Sequence, residues 1–304
     1  IEGIRELVGD KQVVCGVSGG VDSTVLAVLL KEAGVKVRAI FVDNGLLRKD
    51  ESTVVQNNFH RMGVEIETVD ASDEFLNALA GKEDPEEKRR IIGNLFIKVF
   101  WDSVGNAEML AQGTLYPDVI ESASNAKSKA SVIKTHHNRV PKILELQEQG
   151  KVLEPLAELF KDEVRELGAA LGIASDILGR HPFPGPGLAV RCPGAIDRER
   201  LNIIRECDAI FIGKLKQHGW YDRVWQAYAG LIPVKTVGVK GDERSYEWAT
   251  NLRAVISEDA MTAEWVDLPA QLLRETSQDI LNEVSGINRV LYDISTKPPA
   301  SIEW

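Results

Sequence analysis

The chain has three cysteines, Cys15, Cys192 and Cys207, and they are far apart and odd in number. That leaves no disulfide framework and no C-x-x-C metal site. No apolar run is long enough to span a bilayer and no signal peptide is visible, so a reducing, cytoplasmic setting without a membrane partner is expected. A formal net charge of −10 leaves little for a broad nucleic-acid surface, and positive charge is expected only in local sites. There is no internal repeat and no low-complexity tract. Neither G-x-x-x-x-G-K-[ST] nor G-x-G-x-x-G occurs, which excludes a kinase-type P-loop and a dinucleotide fold. The chain opens on Ile1 rather than Met, as a processed chain or a piece of a longer one would.

What is present is ordinary in bulk and unusual in one place. At 304 residues, with 44% hydrophobic and 27% charged residues, the chain can form two soluble globular domains, each with its own core. The unusual place is Ser18-Gly19-Gly20-Val21-Asp22-Ser23-Thr24. It follows an apolar run, Val13 to Val17 broken by Gly16, that reads as a buried strand. It precedes Val25 to Leu30, which reads as a helix. A glycine-rich strand-to-helix turn aims backbone N–H groups and the positive helix end at an anion. Ser18, Ser23 and Thr24 add hydroxyls, and the glycines allow close approach to the backbone.

The first half alternates strand and helix. Strands are expected at 13–17, 35–42, 64–69 and 109–113, with a weak one at 131–134, and helices at 22–33, 49–61, 85–101 and 158–171. Uniformly apolar strands alternating with helices predict a parallel sheet with helices on both faces. Ligands then lie beyond the carboxyl ends of the strands, so the Ser18 turn, Asp43 and Gly113 gather at one edge, where a nucleotide is expected. His181 to Gly187 holds three prolines and two glycines in seven residues, a rigid loop. The domain boundary is placed just after it, giving domains 1–188 and 189–304. The second is a smaller α+β domain with helices at 197–218 and 269–284 and strands at 234–239, 252–256 and 289–294.

At this point five segments together resemble one family. SGGVDST resembles the pyrophosphatase loop of enzymes that adenylate an oxygen and release pyrophosphate. Val42–Glu51 (VDNGLLRKDE), Ala111–Ser122 (AQGTLYPDVIES), Ile133–Asn138 (IKTHHN) and Arg180–Arg191 (RHPFPGPGLAVR), with the ending Ser295–Trp304, narrow it to the synthetase subunit or domain of GMP synthetase. The resemblance implies an adenine nucleotide alpha-hydrolase-like ATP pyrophosphatase and a C-terminal dimerisation domain, using ATP and Mg²⁺. It implies that xanthosine 5'-monophosphate (XMP) is adenylated at its C2 oxygen with loss of pyrophosphate. Ammonia from a glutamine amidotransferase subunit or domain then expels AMP to give GMP. Another ligase with the same first motif, such as NAD synthetase, is the alternative; the Lys297–Glu303 tail and the HPFPGPG loop argue against it. A non-catalytic nucleotide sensor would have no use for a charged lid over a leaving group.

Residue by residue, Ser18, Gly19, Gly20, Val21, Asp22, Ser23 and Thr24 are expected to cradle ATP, with Asp22 also holding Mg²⁺, because a carboxylate beside phosphates is repelled unless it binds a cation. Helix N-capping is the other reading of Asp22. Asp43 is expected at the adenosine, or else only in an Asp-Asn-Gly turn. The resemblance makes Gly113 part of the second wall of the site, and Asp118 or Glu121 is expected to orient groups around the metal or lid. The resemblance makes Lys134, His136 and His137 a lid over the phosphates. The two histidines are a poor chelating pair because adjacent strand side chains point to opposite faces. Arg139-Val140-Pro141 departs from the family's usual Gly-Gly after that lid. Lys161 lines the pocket, or else is a solvated helix start. Arg48, Pro184, Gly185, Thr296, Lys297, Ile302 and Glu303 are the expected XMP contacts; without the resemblance the tail reads as a frayed end. None of the cysteines has the setting of a glutaminase nucleophile.

Overall fold

The computed structural model describes residues 1–118, 141–258 and 260–304. They form two compact units. One holds Ile1–Asn44, Ser52–Ala71 and Gly93–Arg180; the other holds Gly45–Glu51, Ser72–Ile92 and His181–Trp304. The second unit therefore takes two early segments of chain as well as everything from His181 onward.

The first unit is built on five parallel strands: β1 (Gln12–Val17), β2 (Lys36–Asp43), β3 (Ile66–Asp70), β4 (Met109–Ala111) and β5 (Val152–Leu153). Their order is β3-β2-β1-β4-β5, all paired in parallel. Central β1 is apolar and buried along Val13–Cys15, whereas edge strand β3 exposes Glu67, Thr68 and Asp70, as its position demands. Gly16 interrupts the apolar run because the Phe100 ring lies 3.2 Å from where its Cβ would be. The helix Val21–Glu32 is buried along nearly its whole length, which explains a stretch of Val, Leu and Ala with almost no polar stripe. The order reverses between β1 and β4, so the crevice for a ligand opens beyond those two strands.

β4 ends at Ala111, leaving Gln112–Leu115 as loop at the mouth of that crevice. The fifth strand is Val152–Leu153; the expected strand at 131–134 lies outside the described residues.

The second unit is an antiparallel hairpin of β6 (Gln226–Lys240) and β7 (Glu243–Ile256), extended by β8 (Glu264–Trp265) and by β9 (Ile287–Tyr292), which runs parallel to β7. Both hairpin strands exceed the expected 234–239 and 252–256. Gly230 and Pro233 look like strand breakers, but Pro233 sits in a bulge between Ile232 and Lys235, and Gly230 lies where a Cβ would strike the Arg191 carbonyl at 2.8 Å. The helices Arg198–Gln217 and Ala270–Glu283 belong to this unit. Asp197 caps the first by accepting from Arg200 N–H at 2.8 Å. Leu272 and Ile280 are fully buried inside the unit, so the apolar face of the second helix is already covered. Exposed apolar side chains of this unit include Val237, Val239 and Tyr246 on the hairpin.

Candidate active site

In the first unit the turn after β1 is organised by its own hydroxyls. Ser18 Oγ and Ser23 Oγ are 3.2 Å apart, and Ser23 Oγ accepts from Ser18 N–H at 3.1 Å. Gly20 N–H donates to Ser18 Oγ at 3.4 Å. Gly19 has φ 72°, and a Cβ there would meet Val55 Cγ2 at 2.3 Å, so glycine is required on both counts. The helix N-cap is Gly20, not Asp22; Asp22 lies in the first turn, where a carboxylate complements the helix dipole without capping it. Thr24 is buried and donates its hydroxyl back to the Gly20 carbonyl at 2.8 Å, so it braces the turn.

Lys161 begins the helix Lys161–Ala170, and its Nζ stands 3.0 Å from Asp22 Oδ2. Two residues far apart in sequence therefore meet at the turn. The other carboxylate oxygen, Asp22 Oδ1, is buried without a hydrogen-bond partner among the described residues, and so is Gln112 Oε1 in the loop after β4. Gly113 brings that loop against the start of the helix, its would-be Cβ 3.6 Å from the Asp22 carbonyl carbon. Buried acceptors that lack donors suit a bound cation. The donor set thus fits a Mg²⁺ held by Asp22 Oδ1, with phosphate and water oxygens completing the shell. Among the described residues no group of three or more His, Cys, Asp or Glu forms a metal cage.

Arg180, which sequence reasoning did not single out, donates to the Gly19 carbonyl at 3.0 Å and places a guanidinium at the same turn. Asp118 accepts from Leu115 N–H at 3.0 Å and shapes the loop after β4, which Thr114 also ties to Glu154 at 2.6 Å. Asp43 ends β2 opposite Asp70 and passes its carbonyl to Ala71 N–H. Lys134, His136, His137 and Glu121 lie outside the described residues.

The second unit gathers a different set of charges. Glu303 accepts from Arg191 Nε at 3.1 Å and from Gln226 Nε2 at 2.7 Å. Arg191 is fully buried, with Asp208 3.7 Å away. Asp208 also faces Arg48 Nε at 3.4 Å and accepts from Ala229 N–H at 3.0 Å. The Phe183 ring lies between the two guanidinium groups, 5.4 Å from Arg48 and 5.0 Å from Arg191, and Tyr228 stacks on Arg191 at 4.4 Å. Burial pulls the Arg48 guanidinium below its ordinary value, with Asp208 opposing the shift. Burial likewise pushes the Tyr228 hydroxyl well up, and it donates to the Ile302 carbonyl at 2.8 Å.

The C-terminal tail is therefore tied down, not frayed. Arg253, buried, donates to the carbonyls of Ile302 (2.9 Å), Ser295 (3.0 Å) and Ser301 (3.0 Å) and pairs with Asp293. Lys297 pairs through its backbone with Ala263 and donates Nζ to the Ala260 carbonyl at 2.7 Å; Thr296 donates to the Pro298 carbonyl. Ile302 is buried with Val255 and Ala263. Pro184 accepts from Gly187 N–H, so Pro184 and Gly185 form the turn of the proline-rich loop while Phe183 makes the ring contacts. His181 at the head of that loop stacks on Tyr221, accepts from Ala227 N–H at Nδ1 and donates Nε2 to the Tyr221 carbonyl. Asp208, Gln226 and Arg191 were not singled out from sequence. Only the pairings of Arg48 and Glu303 reveal them.

The first unit is built on a five-stranded parallel sheet, and residues 11–82 match the family model described as tRNA methyl transferase HUP domain. Residues 213–304 match the model described as GMP synthase C terminal domain. Over its whole length the chain is 57% identical across 307 residues to a protein of Chlorobaculum tepidum named GMP synthase [glutamine-hydrolyzing], covering 58% of that relative. Proteins of the same name from Flavobacterium psychrophilum and a Ruegeria species are 55% and 53% identical over 99% and 100% of this chain, which covers 59% of each. The resemblance to GMP synthetase thus holds from end to end. The chain spans less than three fifths of the length of these relatives.

Proposed function

We propose that the chain is the synthetase part of a GMP synthase, an ATP-dependent carbon-nitrogen ligase that converts XMP to GMP through an adenylated intermediate. The observation that carries this reading is the C-terminal tail. Glu303 is drawn to the buried Arg191 and to Gln226, beside the Asp208–Arg48 pair, so a carboxylate, two guanidinium groups and an amide converge on one place. In this reading the first unit binds ATP and the second binds XMP and forms a homodimer.

The Ser18–Ser23 turn and the helix start behind it hold the pyrophosphate as it leaves, through backbone N–H groups and the Ser18 and Ser23 hydroxyls. Lys161 and Arg180 supply positive charge beside that leaving group. Mg²⁺, held through Asp22 Oδ1, would neutralise charge on the triphosphate. Lys134, with His136 and His137, is assigned to the same charge on the ground of the resemblance. Asp43 and Gly113 border the adenosine end. Arg48 and Lys297 are the cations offered to the XMP phosphate; Glu303, Thr296, Ile302, Pro184 and Gly185 border its sugar and base.

Ammonia must come from elsewhere. Cys15, Cys192 and Cys207 are all buried, and burial pushes the thiols of Cys15 and Cys207 up to about 12 and raises that of Cys192. None can serve as the thiolate nucleophile of a glutaminase. A partner subunit or domain supplies the ammonia, and the setting is cytoplasmic.

The test is pyrophosphate release by the chain with ammonium chloride as nitrogen source. Release that needs both ATP and XMP, with GMP formed from ammonium but not from glutamine, is expected. Pyrophosphate formed with nicotinate adenine dinucleotide in place of XMP would assign the chain to a different ligase.

A further inference from the structure

Lys88 sits in the first turn of the helix Pro85–Val104, in a stretch (Glu86-Glu87-Lys88-Arg89-Arg90) that reads as a solvated charged face. It is 1% exposed. Its ammonium donates to three backbone carbonyls of one short segment: Ala189 at 3.2 Å, Cys192 at 2.9 Å and Gly194. Among the described residues no carboxylate is bonded to it. A buried ammonium with only carbonyl partners is costly to desolvate, and burial lowers its proton affinity below the ordinary lysine value. Placing one here needs a compensating role.

The segment it holds begins with the 3-10 turn Gly187–Arg191 and carries the Arg191 side chain. The carbonyls at the end of such a turn have no partner within it and carry the negative end of its dipole; Lys88 answers both. Arg191 is pinned from the other side as well, since Gly230 leaves no room for a side chain beside its carbonyl. Its guanidinium is thus delivered to Glu303, Asp208 and the Phe183 and Tyr228 rings from a backbone that Lys88 fixes.

We propose that Lys88 is a positioning residue for the XMP site: it touches no substrate, and it sets the backbone from which Arg191 orders Glu303. This rests on the functional reading above. The order of action is Lys88, then the 189–194 backbone, then Arg191, then the tail.

The experiment is steady-state kinetics of K88M with ammonium chloride, varying XMP and ATP separately, beside wild type, R191K and the double variant. K88M is expected to raise KM for XMP by about tenfold or more while KM for ATP moves less than about twofold. In the R191K background K88M is expected to add less than about twofold, because both changes act through one guanidinium. Equal rises in both KM values, or additive effects in the double variant, overturn the assignment. If K88M does not accumulate as folded protein, K88Q, which keeps an amide donor, is read by the same split. Wild type that releases no pyrophosphate with ATP and XMP fails the functional reading instead, so the two failures are told apart.

Discussion

Two oxygens of one residue divide the work expected of Asp22. Oδ2 is matched to Lys161 at 3.0 Å, while Oδ1 is buried and unmatched among the described residues. D22N keeps the shape and removes the charge. It is expected to lower kcat for pyrophosphate release by about a hundredfold or more and to raise the Mg²⁺ concentration needed for half-maximal rate. K161M is expected to cost less, about tenfold to a hundredfold, with the Mg²⁺ requirement unchanged, because Lys161 adds charge beside the leaving group but holds no metal. Metal titration of both variants checks the difference; equal Mg²⁺ curves for D22N and wild type would remove Asp22 as the ligand.

A second residue-scale consequence concerns His181. Burial lowers its pKa from 6.5 to about 4, outweighing the hydrogen bond to the Tyr221 carbonyl, so the folded protein keeps it neutral. A base whose folded value is depressed contributes stability above its unfolded pKa, and that stability is lost as pH falls from 6.5 toward 4. The full loss is at most about 3 kcal/mol. H181Q cannot titrate, so its urea midpoint is expected to fall less than that of wild type between pH 7 and pH 5. Parallel curves would show that another group governs this window.

At the scale of elements, the C-terminal tail is the one whose order depends most on a single side chain. Arg253 satisfies three tail carbonyls and pairs with Asp293 from a fully buried position. R253M leaves all four acceptors behind and is expected to cost about 3–5 kcal/mol, with loss of XMP binding. Proteolysis at the tail in R253M but not in wild type checks the cause; a resistant tail with weakened XMP binding would place the fault elsewhere.

Nothing in Arg244-to-Arg253 as a string marks that arginine for burial. By contrast β1, β2 and the helix Val21–Glu32 were readable because uninterrupted apolar runs have one good home, the middle of a parallel sheet. The helix Ser72–Leu79 and the two-residue strands β5 and β8 were missed, being too short to show a period. In the site, Ser18–Ser23 and Asp22 were legible because a glycine- and hydroxyl-rich turn has few other uses. Arg191, Asp208 and Lys88 were not, because a buried charge is recognised only by partners that are distant in sequence, 112 positions away for Arg191 and Glu303.

At the scale of the whole molecule, the tip of the hairpin carries a cluster of exposed apolar side chains. Val237 and Val239 are two apart on β6 and so share a face, and Tyr246 is the register partner of Val237 on β7. They are 54%, 74% and 58% exposed. Three large apolar side chains together at the far end of a two-stranded ribbon are a surface waiting for a partner. Leu272 and Ile280 of the helix Ala270–Glu283 are buried inside its own unit, and the hairpin cluster is the face we propose for the homodimer. An isologous contact doubles the effect of each change, because every substituted residue occurs twice across the two-fold axis. V237D together with V239D is expected to weaken association by about a hundredfold or more in sedimentation equilibrium. Its thermal midpoint at concentrations where wild type is monomeric should match wild type, since neither valine is buried in the protomer. If the variant sediments as wild type does, the dimer forms on another face and the hairpin must be reassigned.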